Sequence, residues 1–127
     1  MDNIEFRKDG KLHREDGPAV ESDGNKEWFI NGLYHREDGP AIELADGYKE
    51  WYSHGELHRQ DGPAIEYADG STFWYLNGEK HRADGPAVEF PESEEYPNGH
   101  AEWWLSGVRV NPPENENDLH NWKSEGF

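Results

Sequence analysis

The sequence predicts an all-β protein: a single antiparallel meander of about four and a half β-hairpin repeats, each of 22–23 residues, followed by a non-repeat C-terminal tail. Three observations predict it. The stretch from His35 to Glu43, His-Arg-Glu-Asp-Gly-Pro-Ala-Ile-Glu, recurs with small changes from His13 to Glu21, His58 to Glu66 and His81 to Glu89. From histidine to histidine the spacing is 22, 23 and 23 residues, a period that marks stacked supersecondary units. An aromatic run closed by glycine interlocks with it at Trp28 to Gly32, Trp51 to Gly55, Trp74 to Gly78 and Trp103 to Gly107. Finally, Asn-Gly, Asp-Gly and Asp-Gly-Pro punctuate the chain about every ten residues, which leaves no room for an ordinary helix before residue 110.

Taken in order, Phe6 to Gly10 fills the first aromatic slot, and each later slot is a strand of about four to six residues. Three residues after the closing glycine comes the histidine, then Asp-Gly-Pro, then Ala-Val/Ile-Glu as the next strand. Another Asp-Gly follows at 23–24, 46–47 and 69–70. The pattern breaks once: Trp74 to Trp103 spans 29 residues instead of 23, the excess lying around Pro91 to Pro97. Residues 1–110 therefore read as the repeat domain. Residues 111–127 read as an acidic tail or cap, in which Glu114 to Phe127 is expected either to form one short turn of helix around Leu119 and Trp122 or to stay loose.

Composition bounds the function. The chain has 127 residues, 28 acids against 12 lysines and arginines, and a formal net charge of -16. Apolar residues make up only 32%, yet six Trp, six Tyr and five Phe supply a thin aromatic core that a disordered chain lacks. The acidity opposes direct binding to nucleic acid or to an anionic membrane, and it favours a basic partner. Residues 83–127 hold ten acids and two bases, so half the net charge lies in the last third of the chain. The absence of cysteine excludes disulfides and thiolate metal sites. With no basic leader and no membrane-length apolar run, a soluble cytoplasmic protein is expected.

Strand alternation sorts the side chains into faces. Trp28 with Ile30, Trp74 with Leu76 and Trp103 with Leu105 are expected on the core face, together with Ile42, Leu44, Ile65, Tyr67, Val88 and Phe90. The tryptophans Trp28, Trp51, Trp74 and Trp103 are expected to be buried and stacked from repeat to repeat. The opposite face then carries Phe29, Tyr52, Tyr75 and Trp104 with Glu27, Glu50 and Glu102, and the row Glu21, Glu43, Glu66 and Glu89.

The stretch from Trp51 to Trp74, with Gly55, His58, Gly62 and Ala68-Asp69-Gly70 before an aromatic restart, resembles the MORN repeat. That family is a β-hairpin repeat of about the same length. The His-Arg-x-Asp-Gly-Pro-Ala variant is similar to repeats in proteins of bacteriophages and large viruses. The resemblance covers residues 3 to about 110 and implies scaffolding, attachment or protein binding. Asp-Gly-Pro-Ala stands where the family has a Gly-x-Gly type turn.

No catalytic constellation is expected. The ladder of His13, His35, His58 and His81 with Asp16, Asp38, Asp61 and Asp84 has the residue types of a zinc site. Four equal copies favour a structural role instead, with Asp closing a turn and His or Arg bonding to the neighbouring turn. No cofactor or metal is expected. The expected function is a non-enzymatic acidic module docking on a basic groove of a nucleic-acid-handling protein such as a nuclease, as a phage-encoded inhibitor of host defence would by charge mimicry. The candidate partner-binding residues are Glu92, Glu94 and Glu95 in the irregular loop, the row Glu21, Glu43, Glu66 and Glu89, and the rings Tyr52, Tyr75 and Trp104. The alternatives are a scaffold or homo-oligomerisation module and a metal protein using the His/Asp ladder.

Overall fold

Every regular element among residues 3–112, the part that the computed structural model describes, is a β-strand. The expected tail or cap beyond Pro112 lies outside the described residues. Ten strands form one antiparallel sheet in chain order: Ile4–Glu5, Val20–Ser22, Asn25–Glu27, Ile42–Glu43, Lys49–Glu50, Ile65–Glu66, Thr72–Phe73, Val88–Phe90, His100–Leu105 and Val108–Val110. Two-residue hairpins extend it along one side at Arg7–Lys8 with Lys11–Leu12, Phe29–Ile30 with Leu33–Tyr34, Tyr52–Ser53 with Glu56–Leu57, and Tyr75–Leu76 with Glu79–Lys80. The meander expected from the repeat is the observed fold.

Turn chemistry explains the period. Asp23-Gly24 connects Ser22 to Asn25 as a two-residue turn with both residues at positive φ, the turn whose twist suits adjoining strands. In the next hairpin the turn grows to Ala45-Asp46-Gly47, closed by Leu44 N–H to Tyr48 O and by Asp46 Oδ1 accepting from Tyr48 N–H. That one extra residue turns a spacing of 22 into 23. The equivalent connection between Phe90 and His100 is nine residues long, 91–99, which accounts for the longer interval from Trp74 to Trp103.

Each strand pair is stitched to the next repeat by backbone as well. Gly32, Gly55, Gly78 and Gly107 N–H groups donate to Leu12, Tyr34, Leu57 and Lys80 carbonyls at 2.8–2.9 Å. The residue before each of these glycines, Asn31, His54, Asn77 or Ser106, has positive φ and donates its N–H to Nδ1 of the preceding histidine at 2.9–3.0 Å. A backbone N–H only donates, so Nδ1 is unprotonated and the neutral ring carries its hydrogen on Nε2. The histidine ladder is thus a set of inter-repeat clamps, as the bond to the neighbouring turn predicts.

The buried centre is small. Ala19, Ala41, Ala64 and Ala87 are 0% exposed, Val88 is 2% and Phe29 8%. The carbonyls of these four alanines accept from Phe6, Trp28, Trp51 and Trp74 N–H at 2.6–2.8 Å, so a fully buried alanine is tied to the aromatic residue of the adjoining strand at each of these four places.

The expectation of buried, mutually stacked tryptophans is corrected. Trp28, Trp51, Trp74 and Trp103 are half-buried, and the first three are covered by arginine rather than by one another. Arg36, Arg59 and Arg82 place their guanidinium carbons 3.8, 3.9 and 4.1 Å from the Trp28, Trp51 and Trp74 ring centres, and Arg14 lies 4.1 Å over Phe6. A half-covered ring keeps one hydrated side, which a thin single sheet cannot avoid.

Candidate binding surfaces

The arginine of each His-Arg-x-Asp-Gly-Pro loop organises one face. Arg36 Nε donates to Asp38 at 3.0 Å, while Nη1 donates to Pro40 O and to Glu43, each at 3.0 Å. Arg59 and Arg82 repeat the set with Asp61, Pro63 O and Glu66, and with Asp84, Pro86 O and Glu89. Arg14 bonds Asp16 and Pro18 O.

The glycine of Asp-Gly-Pro serves this arginine. A Cβ on Gly17, Gly39, Gly62 or Gly85 would stand 2.7–2.9 Å from the guanidinium carbon. None of the four has positive φ, so backbone conformation does not call for glycine here; a side chain would meet the guanidinium, which would have to move aside. The expectation that the aspartate of this loop closes a turn on backbone N–H groups is corrected, because Asp16, Asp38, Asp61 and Asp84 accept from arginine Nε.

These contacts sort the acids. Glu43, Glu66 and Glu89 are ion-paired to arginine at 3.0–3.2 Å, and Lys26 and Lys49 lie in register beside Glu21, Glu43 and Glu66. The aspartates are presented to solvent: Asp16, Asp38 and Asp61 side chains are 87–90% exposed and Asp84 60%. Glu15 and Glu37 beside them are exposed as well. In the sequence these aspartates read as metal ligands or turn closers and are not among the expected partner-binding acids. The signal was there in an acid next to Gly-Pro, but its pairing with arginine disguised which carboxylates stay outward. Glu92, Glu94 and Glu95 are exposed in the 91–99 loop.

The expected single face of acids and aromatics is divided between two. Register places Ile42 opposite Glu27 and Glu50, and Val88 opposite Phe73 and Glu102. Cross-strand partners share a face, so Ile42, Ile65 and Val88 lie with Glu27, Glu50 and Glu102 and with the rings two residues on. Glu21, Glu43, Glu66 and Glu89 lie on the other face, with the tryptophans and arginines. Tyr52, Tyr75 and Trp104 are half-buried and separated from that glutamate row by the thickness of the sheet.

On their own face the rings are tied to carboxylates. Phe29, Tyr34 and Tyr52 stack in succession at 4.3 and 4.9 Å between centres. Tyr34 Oη donates to Glu27 at 2.8 Å, Tyr52 Oη to Glu50 at 2.6 Å, Tyr48 Oη also to Glu50, and Trp104 Nε1 to Glu102 at 2.9 Å. Burial, followed by the bond to Glu27, pushes the Tyr34 hydroxyl up to about 12. Burial and Glu50 raise Tyr48 and Tyr52 likewise, and burial raises Tyr75. Hydrogen bonds from His100 and then Trp104 hold the Glu102 carboxyl below its usual range. The Tyr34, Tyr48 and Tyr52 hydroxyls are held as neutral donors to carboxylates, which makes them poor bases or nucleophiles near neutrality.

Three grooves lie between successive arginine loops, of about 900, 750 and 480 Å³, with Trp28, Trp51 and Trp74 in their respective walls. A fourth, of about 330 Å³, lies on the opposite face against the 91–99 loop. Among the described residues no three His, Asp or Glu side chains converge as a metal site, and no helix is long and apolar enough to cross a membrane. Compared with protein-family models, curated proteins and solved structures, the chain matches none of them.

Proposed function

We propose that this chain is a non-enzymatic binding module that presents acids to the basic surface of another protein, a nucleic-acid-handling protein foremost. One observation carries the reading. Arg36, Arg59 and Arg82 are each shared between a partly exposed glutamate and a loop aspartate, and it is the more exposed aspartates, together with the acids of the 91–99 loop, that face solvent in a protein of net charge -16. Equivalent acids one repeat apart are two strand spacings apart, roughly 10 Å. Duplex DNA carries one charge per ~1.7 Å of axis. Charge mimicry therefore needs the ridge and the loop acids together. The resemblance to phage and large-virus repeats supports a host defence nuclease as the kind of partner.

The test uses an oligolysine peptide and a basic DNA-binding protein at low and high salt. Replacing Asp16, Asp38, Asp61 and Asp84 by Asn is expected to weaken binding and flatten its salt dependence, since exposed charges act mainly through association rate. Reversing Glu92, Glu94 and Glu95 to Lys should weaken it further. Unchanged binding in both variants would remove the charge reading.

A second reading, a self-associating scaffold, is favoured by the two sheet edges. Ile4 in the first strand and Val108 in the last are 47% and 63% exposed, and neither strand has a second neighbour among the described residues. Exposed edges invite pairing. Salt-insensitive self-association would support it.

A further inference from the structure

Inside the repeats this protein solves one recognition problem four times: an aromatic ring and a carboxylate hold an arginine. Arg14 lies on Phe6 with Asp16, Arg36 on Trp28 with Asp38 and Glu43, and the next two repeats follow suit. The groove at the interruption of the repeat has the same ingredients in greater number and no cation among its lining residues. Tyr67, Phe73, Phe90 and Tyr96 line it, with Asp69 and Glu95 as its acids. Their rings form one chain of contacts, 5.7 Å from Tyr67 to Phe73, 5.6 Å on to Phe90 and 5.2 Å on to Tyr96.

The geometry points to a binding site for one arginine side chain of the partner in this groove, held by the four rings and the Asp69 and Glu95 carboxylates. Its volume of about 330 Å³ is at the low end of small-ligand sites, roughly 300–1,000 Å³, and suits a single side chain better than a whole ligand. The lining carries acids and no lysine, arginine or histidine, so it selects a cation. A planar guanidinium both stacks on rings and forks onto carboxylates, which an ammonium does not. The larger grooves on the other face are poorer candidates because their tryptophans already carry the chain's own arginines.

The site is built rather than loose. Ser93 N–H donates to Tyr96 O at 2.8 Å, Tyr96 N–H to Ser93 Oγ at 3.0 Å and Gly99 N–H to Tyr96 O at 2.9 Å, which fixes the loop wall. Ser71 N–H donates to Asp69 Oδ1 at 2.8 Å and holds that carboxyl below its usual range, so it is ionised at neutral pH. Tyr67 is 43% exposed, which leaves a ring face available. The inference rests on the binding reading above and supplies its specific anchor.

The experiment titrates the full chain with acetyl-Gly-Arg-Gly-amide, and with the same peptide carrying citrulline, the neutral isostere, while following backbone and aromatic NMR shifts. The arginine peptide is expected to shift residues 67–73 and 90–96, and the citrulline peptide to bind about tenfold more weakly or not at all. Tyr67→Ala and Glu95→Gln should each reduce arginine binding several-fold while the rest of the spectrum stays unchanged. Glu95→Gln, at an exposed loop position, keeps the test valid if the ring variant fails to fold. Equal binding of both peptides, or shifts spread along Asp16, Asp38, Asp61 and Asp84, would overturn the site. An oligolysine titration separates the two ideas: binding of oligolysine without a groove response to arginine removes the site and keeps the acidic-ridge reading. A groove response to arginine without oligolysine binding does the reverse.

Discussion

His58 Nδ1 accepts a hydrogen bond of 2.9 Å from the backbone N–H of Asn77, the residue that opens the next hairpin turn with φ of 50°. The bond joins two repeats at the point where the chain adopts its least common backbone conformation, and His13, His35 and His81 make the same connection. His58→Ala should therefore loosen the contact between neighbouring repeats by about 0.5–1.5 kcal/mol, the net contribution of one hydrogen bond at an exposed turn. Urea unfolding checks this. A loss confined below a few tenths of a kcal/mol would show that water replaces the ring.

Ala64 is fully buried between the strands of Trp51 and Trp74. A larger side chain has no free space at this fully buried position, so Ala64→Leu is expected to cost about 1–3 kcal/mol or more through overpacking. Thermal unfolding reads it directly. The exposed Ala68, changed to the same residue, is the control and should be near neutral.

Arg59→Lys keeps the charge and loses the fork that reaches Asp61, Pro63 O and Glu66, together with the flat stack on Trp51. The two cations are not interchangeable at such a site. A loss of about 1–3 kcal/mol is expected, with a change in Trp fluorescence in the native baseline. Full retention of stability would mean that the stem alone, lying over the ring, supplies the packing.

Alkaline pH should unfold the protein through its tyrosines. Tyr34 is raised to about 12 and Tyr48, Tyr52 and Tyr75 are raised as well, whereas an unfolded tyrosine ionises near ~10. Below that value the hydroxyls are protonated in both states and their contribution to stability is fully present. Between there and about 12 the unfolded chain releases protons first, so stability falls as pH rises. Tyrosinate absorbance and circular dichroism should change together above pH ~10. Tyrosinate appearing at ~10 with the sheet intact would show that the hydroxyls are freely solvated.

Much of this molecule was legible in its residues. Asp-Gly and Asn-Gly dipeptides marked the hairpin turns, the aromatic and Ala-Val/Ile runs marked the strands, and the single interruption marked the 91–99 loop, because turn propensity and side-chain alternation are local properties. Even the step from 22 to 23 residues corresponds to one added turn residue. The inter-repeat role of the histidines followed from their recurrence.

Tertiary structure alone decided which faces coincide. Alternation fixes orientation within a strand, but whether Ile42 pairs beside Glu27 or beside Trp28 depends on register, and a shift of one residue exchanges the faces. Register here puts Ile42 opposite Glu27, which sends Glu43 to the tryptophan side and leaves Tyr52 on the other. The arginine clip was equally out of reach. It links residues two, four and seven positions apart to a ring eight positions back, through a loop whose path no periodicity describes. Because that clip draws Glu43, Glu66 and Glu89 against the sheet and holds the loop aspartates by one edge with their side chains outward, the three-dimensional path of one side chain per repeat determines which of the 28 acids the surface displays.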